Sequence, residues 1–148
     1  MKNTPGNLRA NPLWKEVFKL SEYFYSILDE ITDNNPEEQW TTVSKLRSAA
    51  NDCLFYTAQA IANPTIDAAE YDWSGARKNL FALQSLYLFA GKQKFLKLDP
   101  EIVVTIDNLI AEIDSNLEES KKAFEHKSKA ELDPWKEKYR IWKEMQND

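Results

Sequence analysis

Five of the six prolines in this chain directly follow Asn or Asp, at Asn11-Pro12, Asn35-Pro36, Asn63-Pro64, Asp99-Pro100 and Asp133-Pro134. An Asn or Asp side chain caps the free N–H groups of a first helical turn, and Pro is tolerated there because its missing N–H has no partner to lose. These pairs therefore divide the chain into helices. Between them, apolar residues recur at spacings of three and four, which at about 100° per residue gather on one side of a helix.

The first segment starts at Asn11-Pro12 and carries Leu13, Val17, Leu20, Phe24, Ile27, Leu28 and Ile31 before Asp33-Asn34-Asn35 ends it. The second starts at Asn35-Pro36, with Glu38 placed to complete a capping box, and its stripe is Val43, Leu46, Ala50, Cys53, Leu54, Thr57 and Ile61. Asn63-Pro64 ends it. The third begins near Thr65 and runs to Ala90, with Gly91 expected as a left-handed C-cap. Its face is Ala69, Trp73, Ala76, Leu80, Leu83, Tyr87 and Ala90, and Gly75 inside it is explained by close approach of a neighbouring helix or by chance substitution. The fourth opens at Asp99-Pro100 and carries Ile102, Ile106, Leu109, Ile110, Ile113, Leu117 and Phe124. A fifth, shorter segment starting at Asp133-Pro134 bears Trp135, Tyr139, Trp142 and Met145.

Strict alternation is absent, and three glycines leave little for the turns of a β-fold. The expected fold is all-α: an antiparallel up-down-up-down four-helix bundle over residues 11–128, an extra short C-terminal helix over 129–148 and a flexible N-terminus over 1–10. With 148 residues and 43% hydrophobic content, one core suffices. A single cysteine excludes an intramolecular disulfide, and no run resembles a signal peptide or membrane span, so a cytoplasmic location without membrane contact is expected.

Chemistry finds few residues to use. A di-metal carboxylate bundle needs two Glu-x-x-His motifs, and the chain has one histidine, His126. One cysteine and one histidine fall short of a zinc site. Cys53 lies on the core stripe, where a thiol is inert. Scattered glycines build no phosphate loop. Asp99, Glu101, Asp107, Glu112, Asp114, Glu118 and Glu119 spread around the polar side of the fourth helix, with no Lys or Arg between 99 and 120. A solvated acidic face is the simpler account. No catalytic residue, metal or cofactor is assigned.

The outer faces carry more. Trp14, Phe18 and Tyr25 form a second stripe on the first helix; Phe55 and Tyr56 point away from the inner face of the second; Phe81 and Leu88 repeat the offset on the third. With Trp135 and Trp142, these are candidates for an oligomer or partner interface. The net charge of −5 disfavours generic nucleic-acid binding. The charge is uneven, however. Residues 65–98 carry net +2, including Arg77, Lys78, Lys92, Lys94 and Lys97, and residues 121–148 also carry net +2. Basic residues beside aromatics suit phosphate pairing and stacking, although a solvated amphipathic helix has the same composition.

The stretch Ala76–Leu117 combines a Leu-x-x-Leu-x-x-x-Ala run ending at Ala90, a basic loop Lys92–Lys97, Pro100 at a helix start and the run Leu109–Ile113. In these features it resembles the four-helix-bundle proteins encoded in intervening sequences of large-subunit ribosomal RNA genes. It is closer to their relatives, the accessory variability determinants of diversity-generating retroelements; Ser44–Ala50 matches more loosely. The resemblance covers roughly residues 12–120. It implies a non-enzymatic accessory protein, a homo-oligomer (a pentamer), a reverse-transcriptase partner and RNA or RNA–DNA hybrid bound through Arg77, Lys78, Lys92, Lys94 and Lys97. The alternative is a monomeric helical protein–protein interaction module without nucleic-acid binding.

Overall fold

The computed structural model describes residues 5–147, which contain four α-helices, three short 3₁₀ segments and no strand. The helices are α1 (Pro12–Asn34), α2 (Thr42–Ala62), α3 (Glu70–Lys92) and α4 (Pro100–Asn147). Asn11 caps α1 as its sequence requires, its Oδ1 accepting from the Trp14 N–H at 3.0 Å, with Pro12 in the first turn.

The hydrophobic stripes become the core. All seven stripe residues of α1 are buried, as are the seven expected for the third segment and, in α4, Ile106, Leu109, Ile110, Ile113 and Leu117. In α2 only Leu54 of the expected face is partly exposed. Ile102 is partly buried against the core, and Phe124 is exposed. Helix α2 packs between α1 and α3, α3 packs on α4, and α4 touches α1. No close backbone approach links α1 to α3. Instead the Tyr23 and Tyr87 hydroxyls meet at 2.6 Å, and the Tyr87 oxygen also accepts the Asp99 N–H at 2.8 Å. The wholly buried Tyr87 thus ties α1, α3 and the entry to α4 at one point.

Four local expectations are corrected. Helix α2 does not begin at Pro36. Pro36–Trp40 is a 3₁₀ segment, and Glu38 accepts from the Thr41 and Thr42 hydroxyls, each at 2.6 Å, instead of closing a box on Asn35. Asp67–Ala69 is likewise a 3₁₀ turn, so α3 starts at Glu70.

Gly91 lies inside the last turn of α3 and is not the left-handed residue. Lys94 is, with φ +62°; its N–H bonds the Gly91 carbonyl at 3.1 Å and the Phe95 N–H bonds that of Ala90 at 2.9 Å. This is a Schellman closure with Lys where Gly is usual. What Gly91 provides is room, since a Cβ there would overlap the Leu98 side chain.

Finally, there is no separate fifth helix. Helix α4 runs through Pro134 for 48 residues. Pro keeps a helical φ and removes one N–H···O=C bond, and the exposed flank of α4 lets water reach the freed Ala130 carbonyl.

Candidate interaction surfaces

Gly75 lines an open concavity between α2, α3 and α4. A Cβ at this position would lie 2.7 Å from the Tyr56 ring, so the bare glycine lets α2 seat Tyr56 directly on α3. Tyr56 in turn packs edge-on to Tyr71 and Phe55, with ring centroids 6.1 and 5.5 Å apart. A hydrogen bond with Tyr71 holds the Tyr56 phenol above its ordinary range. Beside this aromatic wall runs an open groove of about 870 Å³, to which α4 contributes Asp114, Leu117, Glu118 and Lys121.

Arg77 and Lys78 line the same groove, but Arg77 is engaged. Its Nε donates to Asp114 Oδ1 at 2.5 Å, and its guanidinium lies 4.8 Å from the centre of the Phe81 ring. Half-exposed, this pair orients the side chain more than it stabilises the fold.

Lys92, Lys94 and Lys97 are exposed at the other end of α3, about 20 Å along the helix from Lys78 at 1.5 Å per residue. Among the described residues none of the three has a carboxylate within 4.0 Å. Within one chain the five basic candidates therefore form two groups.

The apolar candidates divide similarly. Trp14 is partly buried and its ring stands 5.0 Å from that of Phe18, which is exposed. Tyr25, also exposed, donates to Asn51 Oδ1 at 2.7 Å across the α1–α2 seam, and Phe55 lies one turn further along α2. Phe81 and Leu88 are exposed on α3. Trp135 and Trp142 are 71% and 55% exposed on a part of α4 that extends beyond the other helices. After Ser120, the last buried residue, only Ala123 and Ser128 are even partly covered.

Trp40 and Tyr71, outside every stripe legible in the sequence, are 82% and 75% exposed. Trp40 ends a 3₁₀ segment that sequence spacing assigns to a helix, and Tyr71 matters only through its contact with Tyr56. Neither position has a periodic signal.

Cys53 is buried on the core face, and that burial pushes its thiol up to about 12 against a smaller opposing hydrogen bond with Thr57. His126 is exposed. Among the described residues no three of His, Cys, Asp and Glu converge as a metal site would require, and no helix is long and apolar enough to cross a membrane.

No protein-family model, curated protein or solved structure matches the chain. Fold and surface together define a class: an all-helical protein of four long helices whose fourth carries an exposed aromatic extension.

Proposed function

We propose that this chain is a non-enzymatic oligomeric accessory protein that works through its outer surfaces, as the resemblance to retroelement accessory determinants implies. The observation that carries the reading is the exposed end of α4, where Leu132, Trp135, Tyr139 and Trp142 stand at i, i+3, i+7 and i+10 with no partner element among the described residues. A helical face of that composition is an interface pattern.

The proposed scaffold is an antiparallel up-down-up-down bundle. In its support, Gln84 pairs with Asp107, Arg77 with Asp114 and Asp67 with Lys127, so α3 and the turn before it meet α4 in reverse order.

Within this reading, Lys92, Lys94 and Lys97 form the phosphate-binding loop for RNA or an RNA–DNA hybrid held with a reverse transcriptase in the cytoplasm. What favours them is that all three are exposed and free of carboxylate partners. Arg77 is the weaker candidate, because releasing it from Asp114 opposes binding.

Light scattering after size exclusion, with single-stranded RNA titrated at several salt concentrations, tests both parts. The expected results are an oligomer and an affinity that falls with salt, with a slope reduced by about one for each lysine charge removed in Lys92→Glu, Lys94→Glu and Lys97→Glu. A monomer at the highest attainable concentration overturns the oligomer. RNA affinity indifferent to the three reversals removes the loop's role and leaves a protein-docking module.

A further inference from the structure

Helix α4 is 48 residues long against 23 for α1 and α3, and beyond Ser128, its last partly covered residue, about 19 residues or roughly 28 Å project as a single helix. A lone helix is marginal in water, and an interior Pro134 weakens this one by about 3 kcal/mol. Its stripe of Leu132, Trp135, Tyr139 and Trp142 continues the line that buries Ile110, Ile113 and Leu117. Along one edge of that stripe run Lys129, Lys136 and Lys143, spaced by seven and exposed. Among the described residues none of them is in an ion pair, whereas Arg140 is occupied by Glu137 and Glu144 on its own helix.

Helix α1 has the complementary surface. Phe18 and Tyr25, 39% and 43% exposed and seven residues apart, make an outward aromatic line with Trp14 packed behind Phe18. Beyond Lys19 the helix carries Glu22, Asp29, Glu30 and Asp33 and no base. Glu22 and Asp29, again seven apart, flank Phe18 and Tyr25, and neither is in an ion pair among the described residues. A seven-residue repeat is about 10.5 Å on either helix, so the basic and acidic lines match in pitch.

We propose that the α4 projection of one chain docks on the α1 face of a second copy, its aromatic stripe against Phe18 and Tyr25 and its lysine edge against Glu22 and Asp29. This contact presupposes the oligomer proposed above and supplies its interface. Charge favours this over projection against projection, which in an antiparallel pair would set Lys136 against its own symmetry mate. The projection leads away from its own bundle, so the α1 face it meets belongs to another chain. Each chain then offers one surface and uses the other. Such a heterologous contact grows until it closes into a ring or continues as a filament.

Two double variants of the full chain test it by sedimentation velocity, with circular dichroism as a check on folding. Trp135→Ala/Trp142→Ala lacks the projecting stripe, and Phe18→Ala/Tyr25→Ala lacks the α1 face. Each alone is expected to lose self-association by about a hundredfold or more, the effect of two interface aromatics. Mixed, each supplies the surface the other lacks, and a one-to-one heterodimer that does not grow is expected.

Glu22→Lys/Asp29→Lys, confined to exposed carboxylates, is expected to weaken assembly as well, with rescue by a partner carrying Lys129→Glu, Lys136→Glu and Lys143→Glu. A wild-type monomer overturns both this contact and the oligomer. A wild-type oligomer kept by both double variants overturns the contact alone. Loss in the tryptophan variant only would mean that projections pair with each other, and also overturns it. So does a monomeric mixture whose wild-type parent binds anionic phospholipid vesicles through Trp135 and Trp142, which would assign the stripe to a membrane surface.

Discussion

Substituting Gly75 by Ala sets two effects of known sign against each other. Ala is favoured over Gly in a helix interior by about 1 kcal/mol, which alone would stabilise α3. But the new Cβ would sit 2.7 to 2.9 Å from three ring carbons of Tyr56, well inside the roughly 3.5–4.0 Å of an ordinary carbon contact. Those atoms are the near half of the ring, which Tyr71 and Phe55 brace on other sides, so relief needs the whole side chain to move. Overpacking of this kind costs about 1–3 kcal/mol. The net expectation is a loss of up to about 2 kcal/mol. In a Tyr56→Ala background the obstruction is gone, and Gly75→Ala should stabilise by about 1 kcal/mol. Urea unfolding of the four chains in this cycle measures the change of sign, with a coupling of about 2 kcal/mol. If Gly75→Ala stabilises both backgrounds equally, the ring yields freely and close packing is not why glycine stands there.

Two further outcomes follow from single groups. Lys94→Gly should raise stability by about 1 kcal/mol over Lys94→Ala in urea unfolding, because only glycine relieves the left-handed φ of +62°; equal effects would refute the strain. Alkali should destabilise the fold: burial, and secondarily the bond with Tyr87, hold the Tyr23 phenol above its usual range, and burial pushes the Cys53 thiol up to about 12. The folded chain thus keeps protons that the unfolded chain releases, so this stability is complete below the unfolded-state values and is lost as pH rises through the folded ones. Urea midpoints should fall from about pH 9 upward, with Cys53 alone contributing about 1.4 kcal/mol per pH unit until its folded value is reached. Cys53→Ala should flatten the slope, and an unchanged slope would refute the assignment.

The inner faces were readable because burial follows helical period. Every stripe residue of α1 and α3 is buried, and no long-range knowledge was needed to find them. Helix ends were less readable because several chemistries compete for one turn. Asn11 caps as its sequence indicates, but Glu38 finds the Thr41 and Thr42 hydroxyls and leaves Pro36–Trp40 in a tighter helix. Gly91 looked like a terminator because glycine tolerates positive φ, whereas its missing Cβ is used to admit Leu98 and the left-handed position falls on Lys94.

The surface was hardest to read, since it depends on which residues of different helices come together. Arg77 and Lys92 have the same charge, yet Asp114 takes up one and leaves the other to solvent. Asp133-Pro134 likewise has the same form as Asp99-Pro100 but does not start a helix. At Pro100 the preceding chain leaves the helix axis, because the Asp99 N–H is bound to Tyr87 and its carboxylate to the Glu101 N–H. At Pro134 no comparable tertiary bond among the described residues draws the chain aside, and the helix continues through the proline at a cost of about 3 kcal/mol. An Asx-Pro pair therefore permits a helix start, and a tertiary contact decides whether one occurs. Here that difference is what carries Trp135 and Trp142 out beyond the core.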